Sequence, residues 1–407
     1  MTLYTWGPNS YGQLGIKHSD DKFTPQRVED YTADGITLLT GGGGHTCILK
    51  ANGTLDVCGW NNRGQLGLGH TRDIDHLQPV CGSDLCAKWV SIACGWAHTI
   101  GLTDLGEVYA WGCNRYGQLG LGEAAKGAPT TATTVPLASS KPLHVPLQSE
   151  DDVDPVTSIA AGLRHTCVCT KSGRVYAWGS GRHGQLGLGS QTLKTGVPAH
   201  VPMPNGDCAV QVAAGQYHTL IRTASGRVYA FGSNKHGQIC PDTKTECHFV
   251  YTPTLIGNLN LESSGIPLVV DCGWSHNFLM SGLKEVYAWG RNAYGQLGIG
   301  TTDASEESVS NAVLRNVEQL SCGSEHTLAL LTDKTCITWG WNEHGPCGHG
   351  GTDNILSPTP LQLLSDDGIA TQAECLIVGT GYGHSMAVFS IKNPVQQMRN
   401  RKQDNFE

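Results

Sequence analysis

The chain has 407 residues, a formal net charge of −8, 53 glycines and only 15% charged residues, against roughly 7% glycine and ~25% charge in average proteins. With 39% hydrophobic residues, 10 Trp and 12 Tyr it can fill a core, which excludes a disordered chain. The glycines follow no three-residue period, which excludes collagen. The excess must then serve turns and close backbone approaches, and an internal repeat is the expected cause.

The acidic balance does not suit a nucleic-acid binder. The one basic cluster, Arg399, Arg401 and Lys402, is diluted by Asp404 and Glu407. No apolar run reaches the ~18 residues that span a membrane, so no membrane insertion is expected. Met1–Gly7 lacks the charge and apolar pattern of a signal peptide. The 16 cysteines are therefore read as reduced thiols, and the expected location is the cytoplasm, and also the nucleus.

Taken in chain order, three anchors recur in fixed phase. A Trp-Gly pair or its substitute stands at Trp6, Cys58, Trp111, Trp178, Phe231, Trp289 and Trp339. Gly-Gln-Leu or Gly-Gln-Ile follows at Gly12, Gly64, Gly117, Gly184, Gly237 and Gly295, and has drifted to Gly345-Pro346-Cys347 in the last copy. Gly-x-x-His ends at His45, His98, His165, His218, His276, His326 and His384. From His45 to Cys58 and onward to His326 and Trp339, each of the six pairs has the same spacing. Within a unit, Val156–Ala160 and His165–Thr170 read as strands, Ser172-Gly173 as a two-residue turn, and Arg174–Trp178 as a third strand. No 3.6-residue period is present, so helices should be few.

Small antiparallel sheets repeated about every 50–67 residues are the mark of propeller blades. The chain is expected to be all-β: a seven-bladed β-propeller over residues 1–390, with a short polar tail at 391–407. The first Trp-Gly has no Gly-x-x-His before it, and the last Gly-x-x-His has no Trp-Gly after it. The two fragments complete one blade, so Leu3–Trp6 should pair with the strand near Met386–Phe389 and close the ring. One interval holds an insert, about 123–154, rich in Ala, Thr, Pro and Ser and ending in an acidic run. A solvated loop is expected there.

The seven histidines are read as structural anchors, one per blade, each hydrogen-bonded to backbone of a neighbouring blade. No metal and no cofactor is expected: Cys240, Cys247 and His248 cluster without zinc spacing, and Gly41–Gly44 lacks the Gly-Lys-Ser/Thr of a phosphate loop. Two antiparallel strands return the chain to its starting side, so the Gly-x-x-His turns and the loops after Trp-Gly should share one face of the disk. That face should carry Trp96, Arg164, Tyr217, Trp274, Glu325 and Tyr382 from the turns, and Arg63, Arg115, Arg182, Lys235, Arg291 and Trp341 from the loops. Aromatic and arginine side chains together are the composition of protein-binding hot spots.

The motifs WGCNRYGQLGLG (111–122), WGSGRHGQLGLG (178–189) and WGRNAYGQLGIG (289–300) resemble those of the regulator of chromosome condensation family, over nearly the whole chain. TGGGGH (40–45), ACGW (93–96), AAGLRH (160–165), GSNKHGQ (232–238), SCGSEH (321–326) and WGWNEHG (339–345) resemble its secretion-regulating branch. The resemblance implies nucleotide exchange on a small GTPase, a role in secretion and exocytosis, and an exocyst component as a second partner; a monomer is expected. The chromatin-bound member of that family carries an acidic wedge after one Trp-Gly. Ser180–Gly184 has no carboxylate there, so Ran exchange and chromatin binding are not expected. The alternative is a non-catalytic scaffold that uses the face only for docking. No nucleophile–base pair suggests covalent catalysis.

Overall fold

The computed structural model describes residues 1–80, 87–122, 137–147, 154–239, 247–257, 267–303, 312–364 and 369–391. Seven antiparallel sheets follow one another in chain order around a central axis. Blade 1 is built from Ile36–Gly41, His45–Lys50, Leu55–Gly59 and Ile74–Pro79. The same plan gives blades 2, 3, 4 and 6 four strands each, while blade 5 has three among the described residues. Blade 7 joins Ala373–Thr380 and Ser385–Ile391 to Thr2–Gly7 and Lys22–Arg27 from the opposite end of the chain. Leu3 pairs with Val388, and Trp6 with Ser385. This is the expected closure, and it gives the two terminal strands each a partner. The sole helical element described is a 3-10 turn at Pro204–Gly206.

The stretch read as an insert is not loop throughout. Ala138–His144 is a strand and pairs with Val108–Cys113 as the outer edge of blade 2. The rest of that stretch at 123–136 and 148–153, the tail from 392, and Cys240 lie outside the described residues.

The first strand of each blade lines the axis. Together they enclose a channel of about 400 Å³ bordered by Ser91, Ser158, Gln211, Asp271, Gln319 and Ser321 among others. Gln211 grips the backbone of Val270 in the next blade through both its amide atoms (3.0 and 3.1 Å). Gln319 does the same with Val378. The apolar core is not inside blades but between them. Leu49, Leu55 and Val57 of blade 1, for example, meet Trp89, Ile92 and Trp111 of blade 2. Each fully buried anchor Trp supplies about 2–3 kcal/mol by area, and that gain is realised only when the neighbouring blade is in place.

A polar lattice runs through these dry seams. The Gln65 carbonyl accepts from Thr99 Oγ1 (2.8 Å) and from Trp111 Nε1 (2.9 Å) of the next blade. Gln118 does so from Thr166 and Trp178, and Pro346 from Ser385 and Trp6. The repeat histidine completes each seam: His45 to Thr99 (3.1 Å), His98 to Thr166 (3.2 Å), His165 to Thr219 (3.0 Å), His218 to Asn277 (2.6 Å), His326 to Ser385 (3.0 Å) and His384 to Thr46 (2.7 Å). The partner is a side-chain hydroxyl or amide, not the backbone expected from sequence. A threonine has one hydroxyl hydrogen, and here it goes to the Gln carbonyl. Thr therefore accepts from His, which must carry its proton on Nε2. Burial lowers the pKa of His98, His165, His276, His326 and His384 to about 3, and that of His218 to about 4. The imidazoles are thus neutral. His276 is the exception in bonding: neither its Nε2 nor Thr327 Oγ1 has a partner among the described residues.

The glycines that flank the histidines have no room for a side chain. At Gly112, with φ +97°, a Cβ would lie 2.6 Å from the Ala97 oxygen and 2.7 Å from His98 Cα. There the third strand passes directly against the Gly-x-x-His turn.

Candidate protein-interaction face

That close passage places the two loop sets together. Trp60 N–H bonds to the Gly44 carbonyl (2.7 Å), Ser180 to Arg164 (2.9 Å), Ser233 to Tyr217 (2.7 Å), Arg291 to Ser275 (2.9 Å) and Trp341 to Glu325 (2.8 Å). The turns are also tied across blades: Gln216 N–H reaches Trp274 O, Trp274 N–H reaches Ser324 O, Ser324 N–H reaches Tyr382 O, and Tyr382 N–H reaches Gly42 O. The two loop sets therefore lie against each other; Arg63 is half-buried in its loop, and the other eleven sequence-assigned residues fall in three zones.

At the centre stand Trp96, Trp274 and Tyr382, each two residues before its blade's histidine. Their rings are 6.0–6.2 Å apart, centroid to centroid, in all three pairings. They come from blades 2, 5 and 7 and meet over the axial channel, whose lining includes Tyr382. Trp96 is 38% exposed, so this hub faces solvent. Trp60 abuts Trp96 (6.3 Å), and Tyr11 stacks on Trp60 (5.3 Å), which extends the aromatic surface outward over blades 1 and 7.

Around the hub lie Arg164, Tyr217, Arg291, Glu325 and Trp341. Arg164 is exposed and stacks over Tyr116 of the preceding blade (4.4 Å). Tyr217 packs against His183 of the preceding blade (4.2 Å). Arg291 lies over Tyr294 (4.9 Å) and pairs with Glu325 (2.8 Å). Glu325 is only 6% exposed and also accepts from Gln296 Nε2. Burial raises its pKa against the pull of Arg291. Glu325 is thus committed to holding Arg291, and it presents little surface of its own.

Arg115, Arg182 and Lys235 occupy equivalent outer loop positions on blades 2, 3 and 4, and all three are exposed. The same position on blade 6 is the exposed Glu343. Cations therefore gather on one arc, and their field is felt. His183 has its pKa lowered by burial and then by Lys235, Arg164 and Arg182; His236 is lowered by burial and then by Arg291 and Lys235. An acidic protein carries a basic, aromatic arc on one face.

Sequence reasoning missed the stacking partners. Tyr11, Tyr116, His183, His236, Tyr294 and His344 each precede the Gly of the Gly-Gln-Leu motif or its drifted copy. That regularity was the available signal. Several of these rings hold a cation or aromatic of the face, as Tyr116 holds Arg164.

Fold and face together define a closed seven-bladed propeller with one differentiated loop surface. A family profile described as the RCC1-like domain matches residues 2–387, and the chain belongs to that family. The bovine secretion-regulating guanine nucleotide exchange factor is 38% identical over 303 residues, 73% of this chain and 61% of its own length. This chain thus spans about three fifths of that relative. The ultraviolet-B receptor UVR8 of Arabidopsis thaliana is 31% identical over 323 residues, 79% of this chain and 66% of its own. Among solved structures, Prp20p of Saccharomyces cerevisiae, described with its binding to Gsp1p and histones, superposes with a TM-score of 0.78. That match has 22% identity and covers 99% of this chain and 95% of the other.

Proposed function

We propose that the aromatic–basic face binds a small GTPase and that the protein is a guanine nucleotide exchange factor for it, acting in secretion and exocytosis. The observation that carries this reading is the arc of Arg115, Arg164, Arg182 and Lys235 beside the exposed Trp96 hub. Buriable aromatics supply affinity, and surrounding cations steer an acidic partner surface into register. The 38% identity to a relative named as an exchange factor supports it. Exchange requires no covalent chemistry. The protein has to bind the nucleotide-free GTPase more tightly than the loaded one, and the difference drives nucleotide release.

The test is GDP release from a panel of small GTPases. Acceleration by the wild type, lost in Arg115→Glu/Arg182→Glu, is expected for at least one GTPase. A panel without any acceleration rejects exchange. A second reading, docking without exchange, draws on the absence of a carboxylate in the Ser180–Gly184 loop. A pull-down with an exocyst component, in the absence of exchange, would favour it. The reading further includes a monomer in the cytoplasm with access to the nucleus.

A further inference from the structure

We propose that His45, Cys47 and Cys94 form a binding site for one soft d10 metal ion, zinc or copper(I), that clamps blade 1 to blade 2. The three side chains are buried, and their donor atoms lie within 4.8 Å of one another. In a zinc complex, Zn–S and Zn–N bonds of about 2.3 and 2.0 Å put donors roughly 3.5–3.8 Å apart. From 4.8 Å the donors need to close by ~1.3 Å at most, a shift on the scale of a side-chain rotation.

The repeat itself is the control. At the other six seams the residues equivalent to Cys47 and Cys94 are Ile100 with Ala161, Cys167 with Ala214, Leu220 with Cys272, Phe278 with Cys322, Leu328 with Thr380, and Met386 with Gly41. A single cysteine recurs as a small buried hydrophobe, as the sequence suggests. Both cysteines beside the histidine occur at one seam alone. Among the described residues His45 Nδ1 has no hydrogen-bond partner, a feature it shares with other seam histidines; the two thiols are what is particular here.

Thiolate and imidazole are the donors soft d10 ions select. Binding releases two thiol protons and retains a neutral imidazole. Two thiolates cancel the charge of Zn²⁺ and leave a neutral complex, which suits a buried seam; Cu⁺ would leave one negative charge.

The experiment uses the full chain, reduced with a phosphine and stripped of metal by chelation. The comparison protein is Cys47→Ile/Cys94→Ala, which copies Ile100 and Ala161 of the neighbouring blades. Cys94→Ala alone serves if the double variant melts below room temperature. Cobalt(II), displaceable by zinc, is titrated in one arm, and copper(I) against a chelator in the other, anaerobically. The expected result is one more equivalent bound by wild type than by the variant. In the cobalt arm it comes with a sulfur-to-cobalt charge-transfer band that the variant lacks; in the copper arm alone it assigns the monovalent ion. Equal uptake by wild type and variant in both arms overturns the proposal.

Discussion

The seams between blades and the loop face are made from the same repeats, yet they follow opposite rules. In the seams, equivalent positions hold equivalent groups: a histidine, a hydroxyl or amide that receives it, a Gln carbonyl, an indole. On the face, equivalent positions diverge. The residue two before each histidine is Gly43, Trp96, Leu163, Gln216, Trp274, Ser324 or Tyr382. Packing explains the contrast. A seam is dry and close-packed, so one solution recurs in most blades. The face meets solvent, so each loop is free to take its own side chain. Regularity marks what holds the ring, and irregularity marks the face proposed for recognition.

That contrast can be broken most severely at a seam. His165→Ala removes the bond to Thr219 (3.0 Å) and opens a cavity, and should cost about 2–4 kcal/mol. Thermal or denaturant unfolding measures it. His276→Ala, where Nε2 has no partner among the described residues, should cost less by about 1 kcal/mol. Equal losses at the two seams would show that packing alone, without the hydrogen bond, sets the energy.

Acid should act on the seams next. An unfolded histidine titrates near pH 6.5, whereas the folded ones are held near 3. Between those values the unfolded chain binds more protons. Stability is therefore full above pH 6.5 and falls as pH drops below it, by up to about 1.4 kcal/mol per pH unit for each such histidine. A melting temperature unchanged from pH 7 to pH 5 would contradict neutral seam histidines.

On the face the readout reverses. Arg115→Glu/Arg182→Glu should leave the melting temperature nearly unchanged, since exposed charges contribute ~0.5 kcal/mol or less. Partner affinity should fall by about tenfold or more, ~1.4 kcal/mol. Trp96→Ala should give the smallest change in stability among aromatic variants, about 1 kcal/mol, because a third of its surface is already exposed (38%) and the ring contacts are modest. A large loss of stability there would make the hub a structural plug rather than a contact surface.

Much of this was legible in sequence because a repeat multiplies weak signals. One Gly-x-x-His means little, but seven in phase with Trp-Gly fix the strand order, the blade count and the shared face. The terminal strands were legible for the same reason: Trp6 lacked a histidine before it and His384 lacked a Trp-Gly after it, and the pairing of Leu3 with Val388 completes both. What failed were statements about partners. The histidines bond side chains of the next blade, and Glu325 is buried against Arg291 and Gln296 instead of facing outward. Ala138–His144, inside the expected insert, is a strand.

Those failures share a physical reason. Periodicity along a chain reports which way a residue points relative to its own strand, and that is local. The amino-acid sequence by itself determined a closed ring of antiparallel blades, its seam residues and the loops of one face. Tertiary structure alone decided what meets across blades. It brought Trp96, Trp274 and Tyr382 together over the axis from three distant repeats, seated Arg164 on Tyr116, and placed Cys94 beside His45 and Cys47. Such contacts depend on how far each blade is turned about the ring, a geometry set by packing between sheets and written in no single repeat.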